Sequence, residues 1–347
     1  MKRRLSSKAR QAGGADGWCA AVGQAAACDL CGLSDYERIG ELDRLGNPLR
    51  TLVCRHCGLV SHADIPSDQE LADYYRRDYR EDYNNEFMPS SFRFVREWKR
   101  GRRRFEMLHP FLASSARVFE IGTGTGCNLK HFELGGFEVA GVEPGDGFRR
   151  FAQEKLQLRV EGCMLMDIPR VPRYDFILLV HVLEHMKSPT RALRHVRGLL
   201  QPGGRLYVEV PNFAGPHAAP GKLFHYAHIY NFTPVCLATA AGATGFVVDK
   251  VFSAPREKNL KVLLSATDSY TLRVVPGAYR HAVESVTRFN RLTYHLRWEY
   301  LRDRLVSLGR LLIGRVRSRK EVARILHMCD GGSGGRDCGQ TVFNKAS

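Results

Sequence analysis

No window of this 347-residue chain approaches 18 consecutive apolar residues, so no membrane-spanning helix is expected. The start, Met1-Lys2-Arg3-Arg4-Leu5-Ser6-Ser7-Lys8, is basic but has no apolar run behind it, which argues against a secretory signal. A cytoplasmic protein is therefore expected, with its ten cysteines serving as thiols or metal ligands rather than disulfides. No segment repeats, which excludes solenoids and propellers. What the chain does have is ordinary globular stock: 44% hydrophobic and 25% charged residues, enough apolar material to exclude wholesale disorder or a collagen-like chain.

The formal charge of +16 is unevenly placed. Residues 1–10 carry +5, residues 93–104 carry +6 and residues 281–327 carry +7, leaving the remainder close to neutral at −2. An RNA enzyme more often spreads positive charge over one broad face, so RNA is the minority reading.

Along the chain, residues 1–24 read as a disordered basic tail and 25–65 as a cysteine-dominated module. Residues 66–110 read as a helical linker, with a Tyr run at Tyr74, Tyr75 and Tyr79 as a packing surface and an amphipathic helix over Phe94, Val95, Trp98 and Phe105. From about 111 to 266, short apolar runs alternate with helical segments, the pattern of a parallel α/β sheet. Predicted strands are Arg117–Ile121, Phe137–Val142, Tyr174–Val180, Arg205–Val210, Phe246–Phe252 and Leu260–Ser265; predicted helices are Asn128–Leu134, Phe148–Lys155, Pro189–Leu200 and Pro234–Ala241. Gly203-Gly204 marks a tight strand entry. Residues 267–327 form a basic helical extension. Its stripe of Leu301, Leu305, Leu308, Leu312 and Val316 either packs on the body or, through 281–327, rests on an anionic inner membrane face. Residues 328–347 read as a flexible tail.

Cys28-Asp29-Leu30-Cys31-Gly32 and Cys54-Arg55-His56-Cys57-Gly58 form two C-x2-C pairs separated by 22 residues. Two intervening residues let both sulfurs of a pair reach one ion, and four thiolates satisfy tetrahedral Zn²⁺ with no open position. A structural zinc ribbon is expected, whose metal supplies folding energy that so short a segment lacks. A redox dithiol or four unrelated buried thiols are the alternatives.

The run Val118-Phe119-Glu120-Ile121-Gly122-Thr123-Gly124-Thr125-Gly126-Cys127-Asn128 reads as strand, glycine turn and helix start. Glycines allow close backbone approach to a nucleotide-like ligand, but Cys127 stands where a dinucleotide loop wants Gly or Ala, and no phosphate-binding Lys is present. Glu143 closes the second strand, where a carboxylate suits ribose hydroxyls. His181-Val182-Leu183-Glu184-His185 follows the Tyr174–Val180 strand, and Leu199-Leu200-Gln201-Pro202-Gly203-Gly204 precedes the next.

As a set, these motifs resemble the class I S-adenosylmethionine-dependent methyltransferases over about residues 111–266. With the cysteine module, the Tyr linker and His225-Tyr226-Ala227-His228-Ile229-Tyr230-Asn231-Phe232-Thr233-Pro234, they look like the zinc-ribbon branch that includes sugar C-methyltransferases and polysaccharide or natural-product enzymes. The resemblance implies a Rossmann-like α/β sheet. Glu120, Gly122, Gly124 and Gly126 would border the methionine moiety, Glu143 would hold the ribose, Cys163 and Met164 would flank the adenine through backbone contacts, and His181 would lie under the sulfonium. Glu184 and His185 would cap and brace their turn. His228 is the first candidate base, or else a loop anchor, followed by His225 and His181. That family's sugar C-methyltransferases carry Tyr-x-Glu-His at this loop; here His225 and Ala227 replace the Tyr and Glu, which favours O-methylation over C-methylation. The implied acceptor is a small, nucleotide- or lipid-linked sugar, with phosphate gripped by the arginines of 93–104. An RNA methyltransferase or a catalytically idle zinc-ribbon scaffold are the rival readings.

Overall fold

The computed structural model describes residues 26–74, 87–216, 218–255, 257–298, 300–302, 304 and 320–329. Expectations for the basic tail, for Tyr75 and Tyr79, and for Leu305, Leu308, Leu312 and Val316 fall outside these residues.

The N-terminal module is β1 (Tyr36–Leu42), β2 (Pro48–Cys54) and β3 (Val60–His62), followed by α1 (Asp68–Asp73). α1 begins with a capping box in which Ser67 and Glu70 satisfy each other's backbone amides. The long α2 (Ser91–Leu108) buries Phe94, Trp98, Gly101 and Leu108, a spacing of four, three and seven that makes one inward face. A Cβ on Gly101 would meet the Cys127 carbonyl at 2.7 Å, so glycine there sets how closely α2 lies on the next helix.

The central unit then alternates: β4 (Arg117–Ile121), α3 (Cys127–Leu134), β5 (Glu138–Val142), α4 (Asp146–Leu156), β6 (Val160–Glu161), β7 (Tyr174–Val180), α5 (Pro189–Leu199), β8 (Leu200–Pro211). After β9 (Tyr230–Asn231) come α6 (Pro234–Ala243), β10 (Phe246–Val251), β11 (Asn259–Ala266), α7 (Ala278–Thr287) and α8 (Arg291–His295). Seven strands form one sheet in the order β10-β11-β8-β7-β4-β5-β6. β8, β7, β4, β5 and β6 run parallel, while β11 and β10 are antiparallel additions. The expected α/β sheet is thus present, and nearly every expected strand and helix lies within a residue or two of its predicted ends. The exception is β8, which begins at Leu200: Tyr174 pairs with Leu200 but Phe176 with Arg205, so Gly203-Gly204 lies in a bulge inside the strand.

The chain runs outward from β4 through β5 to β6, then returns to β7 on the other side of β4. Ligands of open α/β sheets bind where the order reverses, at the carboxyl ends of the strands. Side chains following β4, β5, β7 and β8 meet there.

The cysteine module is not a free-standing appendage. β9 adds to it as a fourth strand, giving the order β1-β2-β3-β9, and His62 N donates to the Ile229 carbonyl at 2.9 Å. Asp29, between the first two cysteines, accepts from Thr190 N at 2.9 Å and from the Ser188 hydroxyl, so it caps α5. The Cys236 thiol lies 3.4 Å from the Cys57 carbonyl, and Cys28, Cys54 and Cys57 share a core cluster with the central sheet. Residues 320–329 are helical, with Ile325 and Cys329 in the core beside Phe94 and Trp98, and residues 330–347 of the expected tail fall outside the described residues.

Candidate active site and cysteine centre

Gly122, Gly124 and Gly126 all have positive φ, at 72°, 54° and 76°. A Cβ on Gly122 would strike Val182 at 2.6 Å, and one on Gly126 would strike Leu158 at 2.7 Å. The alternating glycines therefore serve packing as well as ligand approach. The turn is fixed by hydrogen bonds: Gly122 N and Thr123 N donate to the Val142 carbonyl at 2.8 and 3.0 Å. Glu143 is 3% exposed; its Oε2 accepts from Gly124 N at 2.8 Å and its Oε1 from Gly145 N at 3.1 Å. The loop and the carboxylate that the sequence pairs are thus in direct contact.

They border a cleft of about 1360 Å³, which also takes in Cys163, Met164 and the histidines His181, His225 and His228. Every sequence-predicted cofactor and catalytic residue lines this cleft except Gly126, which packs against Leu158 and Ala152. Asp167 lines it as well, and its carboxylate accepts from Met164 N at 2.9 Å.

Glu120 is 1% exposed. Asn128 Nδ2 donates to its Oε1 at 2.6 Å, while Oε2 has no hydrogen-bond partner. Burial pushes its pKa up to about 8, with the Asn128 bond pulling against the rise. A buried, half-satisfied carboxyl on a cleft wall suits a cationic ligand group.

The three histidines differ. His181 has φ +54°, a left-handed conformation rare for a side chain this size. Desolvation disfavours its charge, but Glu184 and Glu209 outweigh that and raise its pKa to about 9. At neutral pH His181 is a cation, so the expectation that it could act as a base is corrected. His225 Nδ1 accepts from Ala227 N at 2.9 Å, and burial, helped by Arg44, drives its pKa down to about 3. Its lone pair shapes the loop, so the same correction applies to it. His228 is half-buried at the cleft, its ring centroid 4.9 Å from His185 and 5.3 Å from His225.

Beneath the site lies a buried polar network that the sequence did not disclose. Arg104 donates through Nε to Glu209 Oε2 at 2.7 Å and through Nη1 to Asn128 Oδ1 at 3.1 Å. Tyr207 and Asn259 also donate to Glu209, at 2.9 and 2.7 Å. Arg104 therefore belongs to this network and not to a phosphate grip. Arg96 and Arg100 share Glu97 at 3.1 Å each, so they too are engaged.

The four module cysteines form a second constellation. Their sulfurs lie within 4.8 Å of one another, with Cys28–Cys57 and Cys31–Cys54 each at 3.5 Å, and all four are free thiols. Tetrahedral Zn²⁺ with bonds of about 2.3 Å would place its sulfurs about 3.8 Å apart, so the set fits that ion. Gly32 and Gly58, after each pair, have the positive φ, 77° and 72°, that such knuckles need.

Residues 90–251 match the family model described as a methyltransferase domain. An uncharacterized methyltransferase of Alkaliphilus oremlandii is 32% identical over 94 residues, covering 26% of this chain and 44% of that protein. A tRNA U34 carboxymethyltransferase of Idiomarina loihiensis is 25% identical over 212 residues, covering 57% and 59%. A ubiquinone biosynthesis O-methyltransferase of Coxiella burnetii is 28% identical over 101 residues, covering 27% and 43%. The chain spans less than half the length of the first curated relatives it matches. Among solved structures, the 1,6-didemethyltoxoflavin-N1-methyltransferase of Burkholderia thailandensis has 22% identity and a TM-score of 0.46, covering 60% of this chain and 96% of that one. The matched span takes in α2, whose Phe94, Trp98 and Leu108 share a core cluster with Val118, Leu129 and Phe132.

Proposed function

We propose that the whole chain is an S-adenosylmethionine-dependent O-methyltransferase of a small, sugar-containing acceptor, with a structural Zn²⁺ on Cys28, Cys31, Cys54 and Cys57. The observation that carries the cofactor reading is the joining of Gly124 to Glu143 at the mouth of the cleft. Glu143 would hold the ribose hydroxyls, Gly122, Gly124 and Gly126 would lie along the methionine portion, and Glu120 would receive its ammonium group through Oε2. Cys163 and Met164 would flank the adenine; Met164 N is already engaged by Asp167, so that edge is held by Cys163 and by side-chain packing.

S-adenosylmethionine supplies an electrophilic methyl group on a sulfonium. The chain's own contribution is alignment and proton management. Holding acceptor and methyl group in line can supply up to roughly 7–11 kcal/mol of the barrier. With His181 held toward its charged form and His225 committed to Ala227, we assign the deprotonation of the acceptor to the neighbourhood of the wall made by Glu184, His185 and His228. Arg44 of the cysteine module, Lys222 and α2 line the cleft and would border the acceptor. Arg103 on α2, which lines the cleft, would meet a phosphate on a nucleotide- or lipid-linked acceptor.

An RNA acceptor is a second reading, supported by the 57% of this chain that aligns with a tRNA carboxymethyltransferase. Labelled-methyl transfer into cell-extract fractions of RNA, lipid and glycan separates the two. Label confined to RNA would overturn the sugar reading.

A further inference from the structure

Within the cleft, one cluster takes no part in holding the donor. Glu184, His185 and His228 each offer a ligand atom, and these atoms all lie within 4.8 Å of one another. Glu184 is 1% exposed, and neither of its carboxylate oxygens accepts a hydrogen bond. His181 Nδ1 stands 3.4 Å and His185 Nε2 3.8 Å from its Oε1. A carboxylate buried in that state is costly unless something further binds it.

His185 shows what that is. Its Nδ1 lies 2.6 Å from the Ala227 carbonyl, which can only accept, so Nδ1 carries a proton and Nε2, the nitrogen nearer Glu184, is the one that can offer a lone pair to an ion. Metal-binding imidazoles are oriented in this way, one nitrogen tied to a carbonyl and the other left as donor to the ion. The His228 ring stands nearly perpendicular to His185, at 81°, on the cleft side.

We propose that Glu184, His185 and His228 bind a divalent transition-metal ion in the floor of the acceptor cleft, distinct from the four-cysteine centre. The assignment of its role rests on the methyl-transfer reading above. Two imidazoles and one carboxylate suit Zn²⁺, Fe²⁺, Mn²⁺ or Co²⁺, and three protein ligands leave positions open for an acceptor oxygen. A dication there lowers the pKa of an acceptor hydroxyl. The hydroxyl proton passes to water in the cleft. The oxygen lone pair then bonds the methyl carbon as the carbon–sulfur bond breaks with its electrons to sulfur, leaving a methyl ether and a neutral thioether. In this state His228 is a ligand, and the proton is released by the ion rather than taken by the ring. Open positions side by side favour acceptors bearing two adjacent hydroxyls, as sugars do.

The test is a Co²⁺ titration of the zinc-replete full-length chain, read by d–d absorption. A further Co²⁺ per chain is expected, without the thiolate-to-cobalt charge-transfer bands that exchange into the cysteine centre would give. Glu184→Gln and the less buried His228→Asn should each weaken it by at least roughly 10–100-fold. Calorimetry with S-adenosylmethionine on both variants verifies that the domain is folded. No additional Co²⁺, or equal uptake by the wild type and a folded variant, overturns the metal site. If the wild type fails to bind S-adenosylmethionine while Co²⁺ uptake follows the variants, the methyl-transfer reading falls and the metal site stands.

Discussion

Arg104 on α2 donates to Glu209 on β8 across 2.7 Å, with side chains only 11% and 3% exposed. This pair locks the helix that precedes the central sheet onto the strand beneath the active site. Removing one partner of a buried ion pair leaves an uncompensated charge, costing about 3–5 kcal/mol. Tyr207 and Asn259 still donate to Glu209, so Arg104→Ala is expected to cost about 3 kcal/mol by urea unfolding. The control is Arg102→Ala: Arg102 lies on the exposed face, 3.3 Å from Glu106, and its loss should change stability by less than about 0.5 kcal/mol.

Glu143 both fixes Gly124 and, on our account, holds the ribose. Charge-assisted hydrogen bonds are each worth about 1.5–3 kcal/mol when lost. Glu143→Ala should therefore weaken S-adenosylmethionine binding by roughly 10–100-fold in a calorimetric titration.

Glu120 makes a prediction about protons. Its pKa in the folded chain is raised to about 8 against an ordinary 4.5, so between these values the native state holds a proton that the unfolded state has released. The stability this group contributes is full below pH 4.5 and is lost as pH rises through about 8. Glu120→Gln should flatten that fall in denaturation midpoints measured across the window. When the ammonium of S-adenosylmethionine meets Oε2, the carboxyl should ionise. Binding at pH 7 should then release protons, seen as a dependence of the binding heat on the buffer's ionisation enthalpy. The variant should lose that dependence.

The cysteine centre bears on the acceptor side of the cleft more than on the donor side. β3, which ends at His62, pairs with β9 and so holds the segment that carries His225 and His228. Cys31→Ser is expected to lower kcat and raise the acceptor's KM while S-adenosylmethionine affinity changes little, because the glycine loop and Glu143 belong to the other sheet. Steady-state kinetics beside calorimetry separates the two effects.

The glycine loop with its carboxylate and the four-sulfur cluster were readable from the chain because their determinants are local. Glycines at 122, 124 and 126 announce positive φ, Glu143 follows the neighbouring strand, and the cysteine spacing announces a cluster. The histidine cluster was not. His185 and His228 are 43 residues apart, and only the addition of β9 to the cysteine module brings them together. The arginine run of 93–104 looked like one basic face, yet Gly101 turns α2 so closely against α3 that Arg104 points inward to Glu209. The raised pKa of His181 depends on Glu184, three residues on, and also on Glu209 of β8, which no spacing rule connects to it.

The most direct test of the central claim is transfer of labelled methyl from S-adenosylmethionine into fractionated cell extract by the zinc-replete chain. The account predicts label in a glycan or sugar-linked fraction and its collapse with Glu143→Ala. Label in no fraction, or equal incorporation by that variant, would contradict it.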